Sequence, residues 1–227
     1  MEIIWHGHSC FELVEDDYHI VIDPYDPNSV GPSFPILDLE ADELLISHDH
    51  RDHNYAEAVK LRSGRKSPFT ITTMETYHDP LKGRLRGMNT VHIIEANGIR
   101  AVHLGDLGVT PDKDQIEQLK GCDVLMIPVG GIYTIEPNGA FLLTEMIMPR
   151  VAIPMHYKVP GHIIWRLWDV KDYSGVFTEQ PILPVKEYDT ASITVTKDTE
   201  PQVAVLRFPG VPCPEKNQAP RSLRHRS

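Results

Sequence analysis

Residues 44–54 read LLISHDHRDHN. Leu44, Leu45 and Ile46, with the small Ser47, make a short apolar run of the kind that forms a buried strand. The run leads straight into His48, Asp49, His50, Asp52 and His53. In an extended chain, side chains two apart share a face, so His48 and His50 reach one ion from a single strand end. Asp52 and His53 are neighbours and leave that face only if the chain turns. A helix over 54–65 is the expected turn, and it would swing both residues towards a second position beside the first. Imidazole suits zinc and related transition ions, and a carboxylate adds a harder, negative ligand.

Working outward, the first 24 residues alternate as strands, with Glu15, Asp16 and Asp17 as a hairpin turn, and Pro24 ends the ladder just after Asp23. Residues 26–38 are rich in Pro, Gly, Asn and Ser and read as a loop. A β-rich run at 70–73 ends near His78. Segments 91–95 and 99–104 alternate around Ala96, Asn97 and Gly98, a strong hairpin signal. A helix is expected over 111–120, a buried strand over 123–128, a helix over 137–148 opening on Pro137, and a buried strand over 151–155. Two later runs, 192–195 and 202–208, read as a final hairpin, while the register around Trp165 and Trp168 is not placed by pattern.

The chain has 227 residues, 41% hydrophobic and 24% charged, which fits a globular domain with one sizeable core. The expected domain is 1–210, followed by a disordered basic tail over 211–227. No apolar run has membrane-spanning length and no leader pattern follows Met1, so a cytoplasmic location without membrane contact is expected. Cys10, Cys122 and Cys213 lack metal-knuckle spacing and fit a reducing compartment. A net charge of -10 argues against long nucleic acid, because phosphate contacts need a basic surface.

The motifs HxHxDH at 48–53, YHDPLKGRLRGMN at 77–89, HLGDLG at 103–108, IPVGGIYT at 127–134 and IPMHYK at 153–158, in this order, resemble the metallo-β-lactamase superfamily. More narrowly, they are similar to its bacterial branch of metal-dependent hydrolases that includes the ascorbate-phosphate lactonases. The resemblance covers most of residues 1–158 and thins beyond. It implies an α/β fold, a four-layer αββα sandwich. It also implies His48, His50 and His78 around a first divalent ion, and Asp52, His53 and His156 around a second. Asp106 would bridge the two, Asp23 would hold a ligand histidine, and His8 would stand beside the site without touching an ion. Zinc is the expected metal, with manganese, iron or nickel in similar sites. His103 is an odd number of positions from Asp106, so it is expected to support the site from behind. His6, His19, His92, His162 and His225 read as ordinary histidines.

The implied chemistry is hydrolysis by a hydroxide held between the ions, with Asp52 also holding the attacking water. Arg84 and Arg86 are candidates for an anionic substrate group, since guanidinium forks fit phosphate or carboxylate. Asn89 and Tyr133 are further candidates for substrate contact. The expected substrate is a small ester or lactone, including one of a phosphorylated small molecule. A phosphodiester such as a small nucleotide is the alternative within hydrolysis, and a non-catalytic metal-binding protein the alternative outside it. A homo-oligomer is compatible with the sequence.

Overall fold

Strand alternation at the start of the chain builds a meander: β1 (Glu2–Gly7), β2 (Cys10–Glu15) and β3 (Tyr18–Ile22), each antiparallel to the next. The computed structural model describes residues 1–164 and 166–210, so the expected tail over 211–227 and residues Trp165, Cys213 and His225 lie outside the described residues. After a one-turn helix α1 (Pro27–Val30), capped by Asp26, come the short strands β4 (Leu39–Ala41) and β5 (Glu43–Leu45). β5 adds in parallel to β3, which delivers residues 46–54 beside the end of that strand.

The expected helix over 54–65 does not form. A single 3-10 turn (Ala56–Ala58) is followed by β6 (Val59–Leu61), which pairs in parallel with β4. Val59 and Leu61 alternate with Lys60 at strand spacing, and Ser63 and Gly64 close the segment off. The turn that redirects Asp52 and His53 is tighter and local: the amides of His53 and Asn54 both donate to His50 O, at 2.9 and 2.7 Å.

The second sheet grows from β7 (Thr70–Tyr77), longer than the expected four residues, and β8 (Met88–Ala96), paired antiparallel along their whole lengths. Asn97 and Gly98, both with positive φ, turn β8 into β9 (Ile99–His103). Helix α2 (Lys113–Leu119) opens on an Asp112–Gln115 capping box. The continuous apolar runs β10 (Val124–Pro128) and β11 (Val151–Met155) lie parallel and fully buried at the sheet centre. Between them, α3 (Pro137–Ile147) buries Ala140, Phe141, Thr144 and Ile147.

A further helix, α4 (Val170–Glu179), was not expected from pattern. Its capping box Asp169–Asp172 starts it, and Tyr173 and Phe177 pack on α3, with Phe141 and Phe177 ring centres 4.9 Å apart. Each such aromatic contributes about 2–3 kcal/mol of apolar burial. Strands β12 (Val185–Glu187), β13 (Ser192–Thr194) and β14 (Gln202–Val205) complete the chain. β13 and β14 are not the expected hairpin. β13 pairs antiparallel with β1 in the first sheet, while β14 runs parallel to β11 and β12 in the second. The segment between them therefore ties the two sheets together.

The strand orders are β13-β1-β2-β3-β5 and β12-β14-β11-β10-β9-β8-β7. The sheets face each other across one apolar core, with Phe11 against His103 at 5.8 Å and Trp5 against Tyr157 at 5.5 Å. Chain segments leaving β1, β5, β7, β9, β10 and β11 carry His8, His48, His78, Asp106, Tyr133 and His156. No described helix is long and apolar enough to cross a membrane.

Candidate metal centre

Backbone conformation concentrates cost at these strand ends. His8, Asp23, Ile132 and His156 all have φ between 48 and 64°, in the left-handed region. That conformation costs a non-glycine residue roughly 1–2 kcal/mol and is most unfavourable for the β-branched Ile132. Residues held so are a mark of functional sites. Close approach adds to it: a Cβ at Gly130 would collide with the His156 carbonyl, and one at Gly105 with the Asn89 and Ser47 side chains.

Asp23 is fully buried and accepts from Ser47 N at 2.7 Å, Ser47 Oγ at 2.5 Å and His53 Nδ1 at 2.8 Å. Because the Ser47 hydroxyl hydrogen goes to Asp23, His48 must donate its Nδ1–H to Ser47 Oγ, 2.9 Å away. His78 donates Nδ1–H to Tyr133 O at 3.1 Å. His48 and His78 thus share one tautomer, each presenting a bare Nε2 inward, the arrangement that ligand histidines need, while His53 donates Nδ1–H to Asp23 and turns its Nε2 to Asp106.

Asp106 stands among those nitrogens. Its Oδ2 lies 3.3 Å from both His78 Nε2 and His156 Nε2 and 3.9 Å from His48 Nε2, and its Oδ1 lies 3.2 Å from His53 Nε2. Three groups have ligand atoms within 4.8 Å of one another: His48, His50 and His78; His48, His53 and Asp106; and His8, Asp52, His53 and His156. Asp106 and the other six residues expected as ligands are therefore brought together in these overlapping groups. His8 joins them with its Nε2 3.3 Å from Asp52 Oδ2.

One expectation needs correction. Asn89 is completely buried and does not face substrate: it donates to Thr76 Oγ1 at 2.8 Å and Leu104 O at 2.9 Å, and accepts from the Asp106 amide at 2.8 Å. Its work is to hold the Asp106 loop. His103 stands behind the site and acts through main chain, not through a ligand side chain. It donates Nε2–H to Ser9 O at 3.0 Å across the two sheets and accepts from Gly105 N at 3.2 Å.

His162 is a site residue that the pattern reading passed over. It is buried against the edge of Phe34, with its Nε2 3.4 Å from His8 Nδ1. Only its separation from the motifs in sequence hid it. Tyr133 is partly exposed, and the Arg86 guanidinium lies 5.0 Å over its ring. Asp79 organises the loop that carries Arg86 by accepting from the amides of Leu81, Leu85 and Arg86. Arg84, on the same loop, is exposed.

Charge in the site is tightly coupled. Burial opposes a charged His53, but the Asp106 and Asp23 carboxylates outweigh it and hold the imidazolium well above the ordinary 6.5. Burial also opposes ionised Asp23, yet His53 brings its carboxyl down to about 2. Asp52 and Asp106 are likewise held below the carboxylate range, against burial, by His8 and His53 for the first and by His156 and His53 for the second. Burial lowers His48 to about 3 and His8 to about 4, so both are neutral near pH 7.

Those atoms test whether a metal fits. His48 Nε2, His53 Nε2, Asp106 Oδ1 and both His156 ring nitrogens are buried without a hydrogen-bond partner among the described residues. Unpartnered buried polar atoms are costly, and those of His48, His53, Asp106 and the Nε2 of His156 lie close together, so a transition-metal ion is the species that satisfies them together.

Residues 2–156 match the model of the beta-lactamase superfamily domain. This chain belongs to the metallo-β-lactamase superfamily. A metal-dependent hydrolase of Thermoplasma acidophilum is 28% identical over 189 residues, covering 69% of this chain and 83% of that protein. One from Archaeoglobus fulgidus is 28% identical over 196 residues, with the same coverage of 69% and 83%. Among solved structures, a candidate zinc-dependent hydrolase of the superfamily from Thermotoga maritima is 29% identical, with a TM-score of 0.69 over 90% of this chain and 97% of that one. Igni18, a metallo hydrolase of Ignicoccus hospitalis, shares the fold at 19% identity and a TM-score of 0.63, covering 92% of this chain and 96% of its own. The chain is thus a metal-dependent hydrolase of this superfamily, with the superfamily's mixed α/β fold of two large sheets.

Proposed function

We propose that this hydrolase holds two divalent ions, most simply zinc, and cleaves a small anionic ester or lactone. The observation that carries the reading is Asp106, whose Oδ2 is equidistant at 3.3 Å from His78 and His156, one histidine from each ligand group. His48, His50 and His78 would hold one ion, and Asp52, His53 and His156 the other, with Asp106 between them. Two such ions supply a water acidic enough to be deprotonated near neutral pH and a Lewis acid for the carbonyl oxygen.

The chain's own residues do the rest. Asp23, Ser47 and the Tyr133 carbonyl fix the ring orientation of three ligand histidines, so the ligand nitrogens are placed before metal or substrate arrives. Asp52, half turned to the pocket with one oxygen bonded to His8, is placed to accept a hydrogen bond from the attacking water. Arg86, stacked on Tyr133 beside His78, is the group that would orient an anionic substituent. Arg84, exposed on the same loop as Arg86, adds a second positive charge. Exposed Ile132 and Leu85 offer apolar contact next to these cations. The buried free thiols Cys10 and Cys122 support a cytoplasmic compartment.

The test is elemental analysis of the purified protein together with ester, lactone and phosphodiester substrates, before and after chelation. Two ions per chain and chelator-sensitive turnover of the first two substrate classes are expected. Preference for the phosphodiester would reassign the bond. Metal without turnover on any class would move the protein to the non-catalytic reading.

A further inference from the structure

His8 presents a choice that the ligand geometry alone leaves open. It lies in one group with Asp52, His53 and His156, all with ligand atoms within 4.8 Å, so its Nε2 has the position of a fourth ligand to the second ion. The same Nε2 is 3.3 Å from Asp52 Oδ2, where it would be a hydrogen-bond donor. A nitrogen that carries a proton cannot bind a metal, so the tautomer of His8 decides between the two roles.

The loop at 157–164 fixes that tautomer. The Ile164 backbone N–H points at His162 Nδ1 from 3.1 Å. An amide N–H only donates, so His162 Nδ1 is bare and its proton sits on Nε2. His162 Nε2–H faces His8 Nδ1 at 3.4 Å, which makes His8 Nδ1 the acceptor. The His8 proton is then on Nε2, directed at Asp52 Oδ2. A doubly protonated His8 would set two N–H groups against each other, so the polarity runs one way, from a main-chain amide through two imidazoles to a carboxylate. Phe34 packs its edge on both rings, at 6.3 Å from His8 and 5.0 Å from His162, and the left-handed backbone of His8 sets its ring against His156 at 4.2 Å.

We infer that His162 is a positioning residue for the second ion: through the amide–His162–His8 chain it keeps the His8 proton on Nε2, so that His8 anchors by a hydrogen bond Asp52 Oδ2, the oxygen that also faces His53 Nε2 at 3.8 Å. His8 is then excluded as a ligand. The inference rests on the reading of Asp52 as a ligand and adds a residue from outside every motif that marks the site. Partners that orient a ligand in this way are worth about 10–100-fold in metal affinity, and His162 acts one bond further out, so an effect of about tenfold is expected.

Two measurements decide it. Long-range nitrogen–proton correlation spectra of the 15N-labelled protein, metal-free and zinc-loaded, should show His8 protonated at Nε2 and His162 protonated at Nε2 in both forms. A His8 protonated at Nδ1, or zinc-bound at Nε2, overturns the inference. Titration with zinc against a chromophoric chelator should show H162F weakened about tenfold at one of two sites and unchanged at the other. H162Q, whose amide N–H reaches towards His8, should stay within about twofold of wild type. Two undiminished zinc sites in a folded H162F would also overturn it. If H162F does not fold, the spectra of the wild-type protein still decide. A wild-type protein that takes up fewer than two zinc ions contradicts the two-ion reading, while the metal-free spectrum judges the tautomer independently.

Discussion

At Asp23 a single carboxylate, fully buried, accepts three hydrogen bonds and faces an imidazolium. Its folded value of about 2 lies below the ordinary 3.8, so its contribution is complete above about pH 4 and is lost as pH falls towards 2. The size is about 2 kcal/mol. His53 is shifted the other way, so in the metal-free protein its contribution is complete below 6.5 and is lost as pH rises through its elevated folded value. Asp23→Asn should lower the stability of the metal-free protein by about 2–3 kcal/mol at pH 6, since it removes the charge and leaves a donor facing a donor. Chemical denaturation at pH 6 and pH 3 checks this, and an equal cost at both would contradict it. At Arg86 the change is in substrate affinity. Arg86→Ala should raise KM about tenfold or more for an anionic ester and leave kcat and neutral esters nearly unchanged. Equal losses on charged and neutral substrates would remove Arg86 from recognition.

The loop after β9 and strand β8 act as one element because Asn89 joins them. Its side chain occupies both hydrogen-bonding ends, on Thr76, Leu104 and the Asp106 amide. Asn89→Ala should cost about 1–3 kcal/mol and release Asp106 from its place between His78 and His156. The expected result is a lower melting temperature and fewer ions per chain by elemental analysis. Loss of stability with full metal content would show that the loop holds itself. The same element scale explains why the helix expected after the HxHxDH motif is absent. His50 O receives two amides in one tight turn, so nothing further along the chain is needed to bring Asp52 and His53 round.

For the molecule as a whole, metal binding is coupled to protons and to folding. The neighbouring Asp106 and Asp23 carboxylates keep His53 protonated in the metal-free state at neutral pH, and that proton must leave for His53 to bind an ion. Zinc titration by calorimetry in buffers of different ionisation heat should show about one proton released from His53, with affinity rising with pH until the His53 value is passed. No buffer dependence would place His53 outside the ligand set. The ligands come from segments of both sheets, from His48 in the first to His156 in the second. An ion held between them therefore binds only the assembled sandwich, and chelation should lower the unfolding temperature of the entire domain in one transition.

By itself the sequence determined the elements that local chemistry controls. The Asn97–Gly98 turn, the buried parallel strands β10 and β11 and the HxHxDH motif were all legible from residue type and spacing. The motifs also gave Asp106 and the six residues grouped with it. Tertiary structure alone decided where β13 and β14 pair, because a short alternating run fits any sheet edge with free backbone groups. It alone turned Asn89 inward and brought His162 to His8 across 154 positions of chain. Hydrogen-bond polarity between residues so far apart has no trace in local pattern, since it depends on which donor meets which acceptor once the sheets have closed.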